Sequence, residues 1–301
     1  MKILICICTY KRNESLMKCL QSFSQTLKPS KIKISFLILD NSANFEAFNL
    51  IKNFKKKFKF NIHYSNEKKR GVVNARNKCL KILKKIQCDY IAFFDDDCVI
   101  DRYWFKNVIE IIDKSKANII TGPQLYLSND KKKNNLIEFF EKKINKKISK
   151  VNWAATNNVI IKKSIILKEN IYFDKNLNKF GMGEDQLFFS KLNKRGHNII
   201  WSNNIKVYEK MHPHRTTSKW IRDRSYRLGV LGNYIDRDLY GQILGFIINY
   251  IKFIYYLFFS ILSLLNIVKK NYYYQFINLT FRAIGRFLGP FVIKKIKFYK
   301  K

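Results

Sequence analysis

Residues 90–98 read YIAFFDDDC, an apolar run that ends in three consecutive aspartates. An uninterrupted apolar run predicts a strand that is buried on both faces. In open α/β sheets ligands bind beyond the carboxyl ends of the strands, which is where Asp95, Asp96 and Asp97 follow this run. Adjacent carboxylates repel one another, and a divalent cation removes that repulsion. The stretch therefore predicts a cation-dependent site at the end of a strand. Taken alone, three aspartates after a strand are more simply explained as a solvated acidic turn.

The alternation of strand and helix patterns continues on both sides of this stretch. Apolar runs that predict further strands lie at 2–8, 32–39, 60–64, 117–122 and 151–161, the last interrupted by a polar turn. Strands that alternate with helices predict an α/β fold with a doubly wound, mostly parallel sheet flanked by helices. Asp40 directly follows the run at 32–39, so we expect a second carboxylate at the same edge of the sheet.

The composition excludes a disordered basic tail protein. The chain has 301 residues and is 47% hydrophobic, which is enough to bury a core. Its net charge of +36 attracts polyanions, but composition does not choose among nucleotide phosphates, lipid headgroups and nucleic acid. The six cysteines contain no CxxC pair, which favours reduced structural thiols over a disulfide scaffold or a zinc ribbon.

The C-terminal part of the chain has the character of a membrane-attachment region. Residues 243–268 are aromatic-rich and apolar, with Lys252 as their one charge. The uncharged stretch 253–268 would reach roughly 24 Å as a helix, short of the ~30 Å hydrocarbon core. Residues 243–252 supply the missing length if Lys252 snorkels or faces protein. We expect membrane attachment, with in-plane or re-entrant helices slightly favoured over a full span, which keeps the basic residues at 294–301 on the cytosolic side.

Two further segments have a pattern that allows more than one interpretation. Residues 131–150 are rich in lysine and predict an amphipathic surface helix. Glu184 and Asp185 lie between a glycine-containing loop and a short helical pattern. A carboxylate there could act as a general base, although capping the helix is the commoner use of an acid at such a position.

Six motifs taken together resemble one enzyme family. They are CTYKR at 8–12, LILDNSA at 37–43, GVVNARN at 71–77, FFDDDC at 93–98, NWAATNNVIIKKS at 152–164 and GEDQLF at 183–188. In this order and spacing they resemble a family 2 glycosyltransferase over about residues 1–230. The resemblance implies the GT-A fold, a nucleotide-sugar donor with UDP as the expected nucleotide, a divalent metal (Mn²⁺ or Mg²⁺), and inversion at the anomeric carbon.

The resemblance also implies roles for individual residues. Asp185 matches the catalytic base, and Glu184 is expected to help place the acceptor. Asp97 is the expected direct metal ligand, while Asp95 is a second metal-site residue nearer the ribose. The residues expected to bind the donor are Thr9, Tyr10, Asp40, Arg76, Asp95 and Asp96, with Asp40 holding the base or the ribose.

The segments VYEKMHPHR at 207–215 and WIRDRSYRLG at 220–229 resemble the tail of membrane-associated polysaccharide glycosyltransferases. A basic cluster there could clamp a diphosphate or bind the acceptor, although an outward basic helix face explains it equally well. The cluster consists of Arg215, Arg222, Arg224 and Arg227. His212 and His214 are candidate further metal ligands, against the alternative of surface-loop histidines.

These observations predict a catalytic domain over 1–230 and a helical membrane-association region over 231–301. The expected function is transfer of a sugar to a lipid-linked glycan, lipopolysaccharide or polysaccharide at the cytoplasmic face of the inner membrane. Membrane lipids are the other expected partner, and no specific nucleic acid is. Two alternatives stay open: a sugar nucleotidyltransferase, for which CICTYKRNE lacks the expected glycine-rich phosphate loop, and a non-catalytic basic protein that binds membranes or nucleic acid.

Overall fold

The computed structural model describes residues 1–58, 60–115, 117–127, 141, 144, 146–265 and 270–292. The chain forms two compact units. The first unit comprises residues 1–125 and 143–209, and the second comprises residues 126–142 and 210–301. This division falls between Glu209 and Lys210, whereas a helix runs without a break through the boundary predicted at 230. The extent of the catalytic region as a functional unit stays a prediction.

The first unit is built on a large mixed sheet. In chain order the strands are β1 (Lys2–Thr9), β2 (Lys33–Asp40), β3 (Asn61–Asn66), β4 (Tyr90–Asp95), β5 (Cys98–Ile100), β6 (Ile119–Thr121), β7 (Gln124–Leu127), β8 (Ile148–Val151), β9 (Asn158–Lys162), β10 (Ile199–Ser202) and β11 (Val207–Lys210). Eight of them form one sheet in the order β3-β2-β1-β4-β9-β6-β10-β8, and three form a small sheet in the order β5-β11-β7. The neighbours β3, β2, β1 and β4 are parallel, while β9 runs antiparallel to both β4 and β6. The α/β prediction is confirmed, with a parallel half and a mixed half.

Helices follow most of the strands. Those of the first unit are α1 (Asn13–Ser24), α2 (Phe48–Lys57), α3 (Val72–Ile82), α4 (Trp104–Ser115), α5 (Lys163–Glu169) and α6 (Glu184–Lys194). Residues 131–140 of the helix predicted over 131–150 lie outside the described residues, as do the basic residues 294–301. The end of that predicted helix is wrong, because residues 148–151 form β8 and pair with β10. The backbone hydrogen bonds that these residues form with β10 outweigh their weak helical pattern.

The central strands are buried on both faces, as their apolar runs predict. Ile3, Ile5 and Ile7 of β1 pack with Phe23 and other residues on one face of the sheet. Leu4 and Cys6 of the same strand pack on the opposite face. Burial of side chains of this size contributes about 1.5–3 kcal/mol each, so these two clusters fix the sheet and the ends of its strands.

The parallel register brings the predicted polar residues to one edge of the sheet. Thr9 at the end of β1 is paired with Asp40 at the end of β2. Cys8 on the other side is paired with Asp95 at the end of β4. Parallel strands place their carboxyl ends at the same edge, so three separate motifs meet there.

The second unit contains three long helices. They are α7 (Ser218–Tyr240), α8 (Gln242–Leu264) and α9 (Lys270–Val292). Gly285 of α9 lies so close to α7 that an added Cβ would be 2.2 Å from the carbonyl oxygen of Tyr226.

Lys252 of α8 faces protein, because its ammonium donates to Asp236 Oδ1 at 2.6 Å. Arg286 of α9 donates to the other oxygen of Asp236, also at 2.6 Å, so one buried carboxylate connects all three helices.

The surface of α8 is strongly apolar. Ile243 is 80% exposed, and Ile251 and Ile254 are each 61% exposed. By length and composition alone this helix is able to cross a membrane, although one such helix is weak evidence that it does so.

Candidate functional site

The middle aspartate of the acidic run is held by the chain itself. Thr9 donates its hydroxyl to Asp96 Oδ2 at 2.7 Å. Arg12, just after β1, donates to Asp96 Oδ1 at 3.2 Å and to Asp97 Oδ2 at 2.9 Å. Burial raises the pKa of Asp96 to about 6, against the opposing effects of Thr9 and Arg12. Asp96, predicted to bind the donor, is therefore placed to orient the loop beside it.

Asp97 lies beside an acid that the sequence analysis did not select. A carboxylate oxygen of Asp97 and one of Glu209 lie within 4.8 Å of each other. The small sheet explains this proximity, because Glu209 of β11 is paired with Cys98, the residue after Asp97. Carboxylate oxygens are the ligands that Mg²⁺ and Mn²⁺ prefer, so the donor set fits the divalent metal that the resemblance implies. The sequence analysis did not select Glu209, although this acid lies in the segment VYEKMHPHR at 207–215, because nothing in that segment indicates that it lies near Asp97.

The two predicted acidic groups meet through one arginine. Arg76 of α3 donates to Glu184 Oε1, and its other terminal nitrogen lies 3.5 Å from Asp95 Oδ1. Burial alone would lower the pKa of Arg76, but the charges of Glu184, Asp95 and Asp185 outweigh it and raise that pKa. Burial raises the pKa of Glu184, and Asp185 adds to this while Arg76 opposes it. The end of β4 and the start of α6 thus form one electrostatic cluster.

Glu184 and Asp185 have different environments at the first turn of α6. Glu184 is 4% exposed, and its Oε2 is buried without a hydrogen-bond partner among the described residues. Asp185 is half-buried, and its Oδ1 accepts from the backbone N–H of Gln186 at 2.7 Å. Of the two, Asp185 has the carboxylate that an incoming molecule can reach.

Asp40 is engaged by donors of its own chain. Its carboxylate accepts from the backbone N–H groups of Ser42 and Ala47 and from the hydroxyl of Tyr64, each at 2.9 Å. A carboxylate has about four acceptor positions, so at most one remains in a group that is 1% exposed. The predicted contact of Asp40 with the base or the ribose stays a prediction, and it would have to use that one remaining position. As placed, Asp40 shapes the loop 41–47.

Tyr10 directly follows β1, at the same edge of the sheet. The guanidinium of Arg70 lies 4.9 Å from the centroid of its half-buried ring. Asn41 ties the neighbouring loop down, since it donates to the carbonyl of Lys69 and accepts from the N–H of Gly71. An aromatic ring stacked with a cation suits a flat, anionic ligand such as a nucleotide.

Three of the four predicted arginines of the second unit interact electrostatically, and their binding role stays a prediction. Burial lowers the pKa of Arg224, and the positive charges of Arg215, Arg282 and Arg227 lower it further. Arg222 is exposed and lies 6.0 Å from the ring of Phe281 instead. Arg282 belongs to α9 and was missed, because it lies far along the chain from the basic segment.

The two candidate histidines lie in the same turn of the second unit. Pro213 separates His212 from His214, and their ring centroids are 5.7 Å apart. Their proposed ligand role remains a prediction.

Comparison with known proteins places the chain in a family. The sequence profile described as Glycosyl transferase family 2 matches residues 4–172, more than half of the chain. The chain belongs to glycosyl transferase family 2. This membership supports a glycosyltransferase over both alternatives kept open by the sequence. A curated relative, the succinoglycan biosynthesis protein ExoM of Rhizobium meliloti (strain 1021), is 25% identical over 233 residues, which cover 74% of this chain and 71% of ExoM.

Solved structures of low identity share the fold of this glycosyltransferase. S. aureus TarS 1–349 in complex with UDP has a TM-score of 0.55 and 14% identity, covering 96% of this chain and 91% of that one. The mannosyltransferase PcManGT from Pyrobaculum calidifontis, in complex with GDP-Man and Mn²⁺, has a TM-score of 0.62 and 11% identity, with coverages of 98% and 88%. The chain spans 44% of a longer TarS structure. These likenesses establish the GT-A-like α/β fold.

Proposed function

We propose that the protein is an inverting glycosyltransferase that moves a sugar from a nucleoside diphosphate to a glycan acceptor with the help of a divalent cation. The observation that carries the proposal is the Arg76 bridge, which brings Asp95 at the end of β4 and Glu184 at the start of α6 into one cluster. A donor-side acid and an acceptor-side acid close together are what a direct displacement requires.

The cation would be held by Asp97 and Asp95, and it would stabilise the charge of the leaving diphosphate. Thr9 and Arg12 keep the acidic loop in one orientation through their contacts with Asp96 and Asp97. Tyr10 and Arg70 offer the donor an aromatic face and a positive charge. His212 and His214 remain candidates for a further ligand of the cation.

Asp185 is the proposed base. It would take the proton from the acceptor hydroxyl, whose oxygen then bonds to the anomeric carbon as the bond from that carbon to the diphosphate breaks. Attack on the face opposite the leaving group inverts the configuration. Glu184 is buried against Arg76, so it would help to place the acceptor indirectly, by holding that arginine, while Asp185 moves the proton.

The relatives support a choice of donor and acceptor classes. TarS structures contain UDP or UDP-GlcNAc, and PcManGT contains GDP-Man with Mn²⁺, so a nucleotide-sugar donor is proposed with UDP tested first. ExoM is named for succinoglycan biosynthesis, which supports a polysaccharide or lipid-linked glycan as acceptor. The apolar surface of α8 supports attachment to the cytoplasmic face of the membrane, where Arg215, Arg224 and Arg227 would meet the acceptor's phosphate groups.

The test of the reaction is a panel of UDP- and GDP-sugars, assayed with and without Mn²⁺ using the full chain. We expect Asp185→Asn to bind the donor normally and to lose transfer by roughly 10²–10⁴-fold. Asp97→Ala is expected to lose Mn²⁺-dependent donor binding. The matched control is Asp113→Asn, which changes an exposed acid of α4. Transfer by Asp185→Asn at the rate of the unmodified protein would contradict the assignment of the base.

The test of attachment is a pair of substitutions on α8. Ile251→Lys with Ile254→Lys places two charges on its exposed apolar surface, and we expect the variant to leave the membrane fraction. Leu167→Lys, at an exposed leucine of the first unit, is the control that should still sediment with membranes. Equal sedimentation of both variants would place the attachment elsewhere.

A further inference from the structure

Glu209 is a buried acid at the edge of the candidate cation site. It is 4% exposed, although an ionised carboxylate is costly to bury. Its position is imposed by the small sheet, because β11 is paired antiparallel with β5 and puts Glu209 opposite Cys98. One of its carboxylate oxygens and one of Asp97 are within 4.8 Å. Asp97 already has one positive neighbour in Arg12, which donates to its Oδ2 at 2.9 Å, and a cation bound between the two carboxylates would reduce their repulsion further.

Two amide side chains hold Glu209 in a fixed orientation. The side-chain NH₂ of Gln124 donates to Glu209 Oε2, and the NH₂ of Asn157 donates in turn to the side-chain oxygen of Gln124. The two amides come from β7 and from the loop before β9, so three separate segments build this chain of hydrogen bonds. These two hydrogen bonds therefore fix the direction in which the carboxylate points.

The support behind this chain is rigid. Asn158, next to Asn157, is completely buried and accepts from the indole N–H of Trp104 at 2.9 Å. Its NH₂ donates to the carbonyl of Ile205 at 2.8 Å, and its own carbonyl accepts from Thr121 at 2.7 Å. A carboxylate that is oriented by hydrogen bonds from a rigid frame is the usual arrangement around a ligand of a metal ion.

We propose that Glu209 is a ligand of the divalent cation together with Asp97, and that Gln124 and Asn157 are positioning residues that fix its carboxylate. The inference rests on the proposed function and adds a ligand from outside the acidic run. It gives the cation one oxygen ligand from the turn between β4 and β5 and one from β11.

The test measures Mn²⁺ binding to the full chain by calorimetry and by the loss of the free Mn²⁺ signal in electron paramagnetic resonance, with no nucleotide present. We expect Glu209→Gln to weaken Mn²⁺ binding at least tenfold. Gln124→Ala leaves both acids in place and removes only the orienting donor, so a weakening of 10–100-fold is expected from it. Glu110→Gln, an exposed glutamate of α4, is the control and should bind as the unmodified protein does.

The outcomes separate the inference from the proposed function. Glu209→Gln and Gln124→Ala variants that bind Mn²⁺ with unchanged affinity would overturn the inference, even if the unmodified protein transfers sugar in a Mn²⁺-dependent way. If Glu209→Gln does not fold, Mn²⁺ binding is measured for Gln124→Ala and for the conservative variant Glu209→Asp. Weakened Mn²⁺ binding by either variant supports the inference, and unchanged binding by both contradicts it. Failure of the unmodified protein to transfer sugar from any donor would count against the proposed function instead.

Discussion

The buried ion pair of Arg76 and Glu184 allows a quantitative prediction about the site. Both side chains are less than a tenth exposed, at 9% and 5%. Removing one partner of such a pair leaves an uncompensated buried charge, which costs about 3–5 kcal/mol. We therefore expect Arg76→Met to lower the free energy of unfolding by that amount. Glu184→Met should lower it by less, although by more than ~1 kcal/mol, because Arg76 keeps its contact with Asp95 at 3.5 Å.

The double variant gives the sharper result. Replacing both members of a buried pair with apolar residues of similar volume is often nearly neutral. We expect Arg76→Met with Glu184→Met to lie within ~1–2 kcal/mol of the unmodified protein, so the two single effects do not add. The coupling energy in the double-mutant cycle should then be about 3 kcal/mol, which is the upper end of values for residues in contact.

The assay is urea-induced unfolding of the full chain in detergent, followed by tryptophan fluorescence. A Trp220→Phe background removes the tryptophan of the second unit, so the signal comes from the first unit, which contains the pair. For Arg76→Met the loss should be larger at pH 8 than at pH 5, because burial raises the pKa of Glu184 and the unpaired acid takes up a proton at the lower pH. Single variants within ~1 kcal/mol of the unmodified protein, or a double variant whose loss equals the sum of the two, would refute the reasoning.

Three further predictions concern packing and pH. Asp236→Ala leaves the guanidinium of Arg286 buried without its carboxylate and should cost about 3–5 kcal/mol, measured by thermal unfolding in detergent. Gly285→Ala brings a methyl group to 2.2 Å from the carbonyl oxygen of Tyr226, so we expect a loss of about 1–3 kcal/mol in the same measurement; an unchanged melting temperature would contradict this close approach. A hydrogen bond from His197 lowers the pKa of Glu169 in the folded protein. This acid therefore stabilises the fold at pH values above its unfolded pKa of about 4.3, and the stabilisation is lost as the pH falls through its lower pKa in the folded protein. Glu169→Gln should therefore lower the melting temperature at pH 7 and leave it unchanged at pH 3, whereas equal effects at both pH values would exclude this cause.

The elements that the sequence predicts well are those whose pattern is local. The apolar runs around Ile5 and Phe93 require burial on both faces, so they indicate central strands without reference to any partner. The direction of parallel strands then places Thr9 and Asp95 at one edge. The six motifs indicate the family because each is a short local pattern, and the sequence profile covers the five that lie within residues 4–172.

The features that the sequence could not show depend on partners that are distant in the chain. Glu209 reaches Asp97 only through the pairing of β11 with β5. The sequence allowed Lys252 either to snorkel or to face protein, and its contact with Asp236 shows that it faces protein. Asp40 is typical of a ligand-binding acid in its motif, yet two backbone N–H groups and the hydroxyl of Tyr64 donate to its carboxylate, which no pattern of residue types records. Residues 148–151 have a weak helical pattern that pairing with β10 overrides.

The most direct test of a cation-assisted site at the end of β4 is calorimetric binding of UDP and GDP to the full chain, with Mn²⁺ and with a chelator. We predict that at least one nucleotide binds only when Mn²⁺ is present, and that Asp97→Ala abolishes this binding while Asp113→Asn retains it. Nucleotide binding of equal strength in the chelator, or in Asp97→Ala with Mn²⁺, would contradict the role given to the aspartates that follow YIAFF.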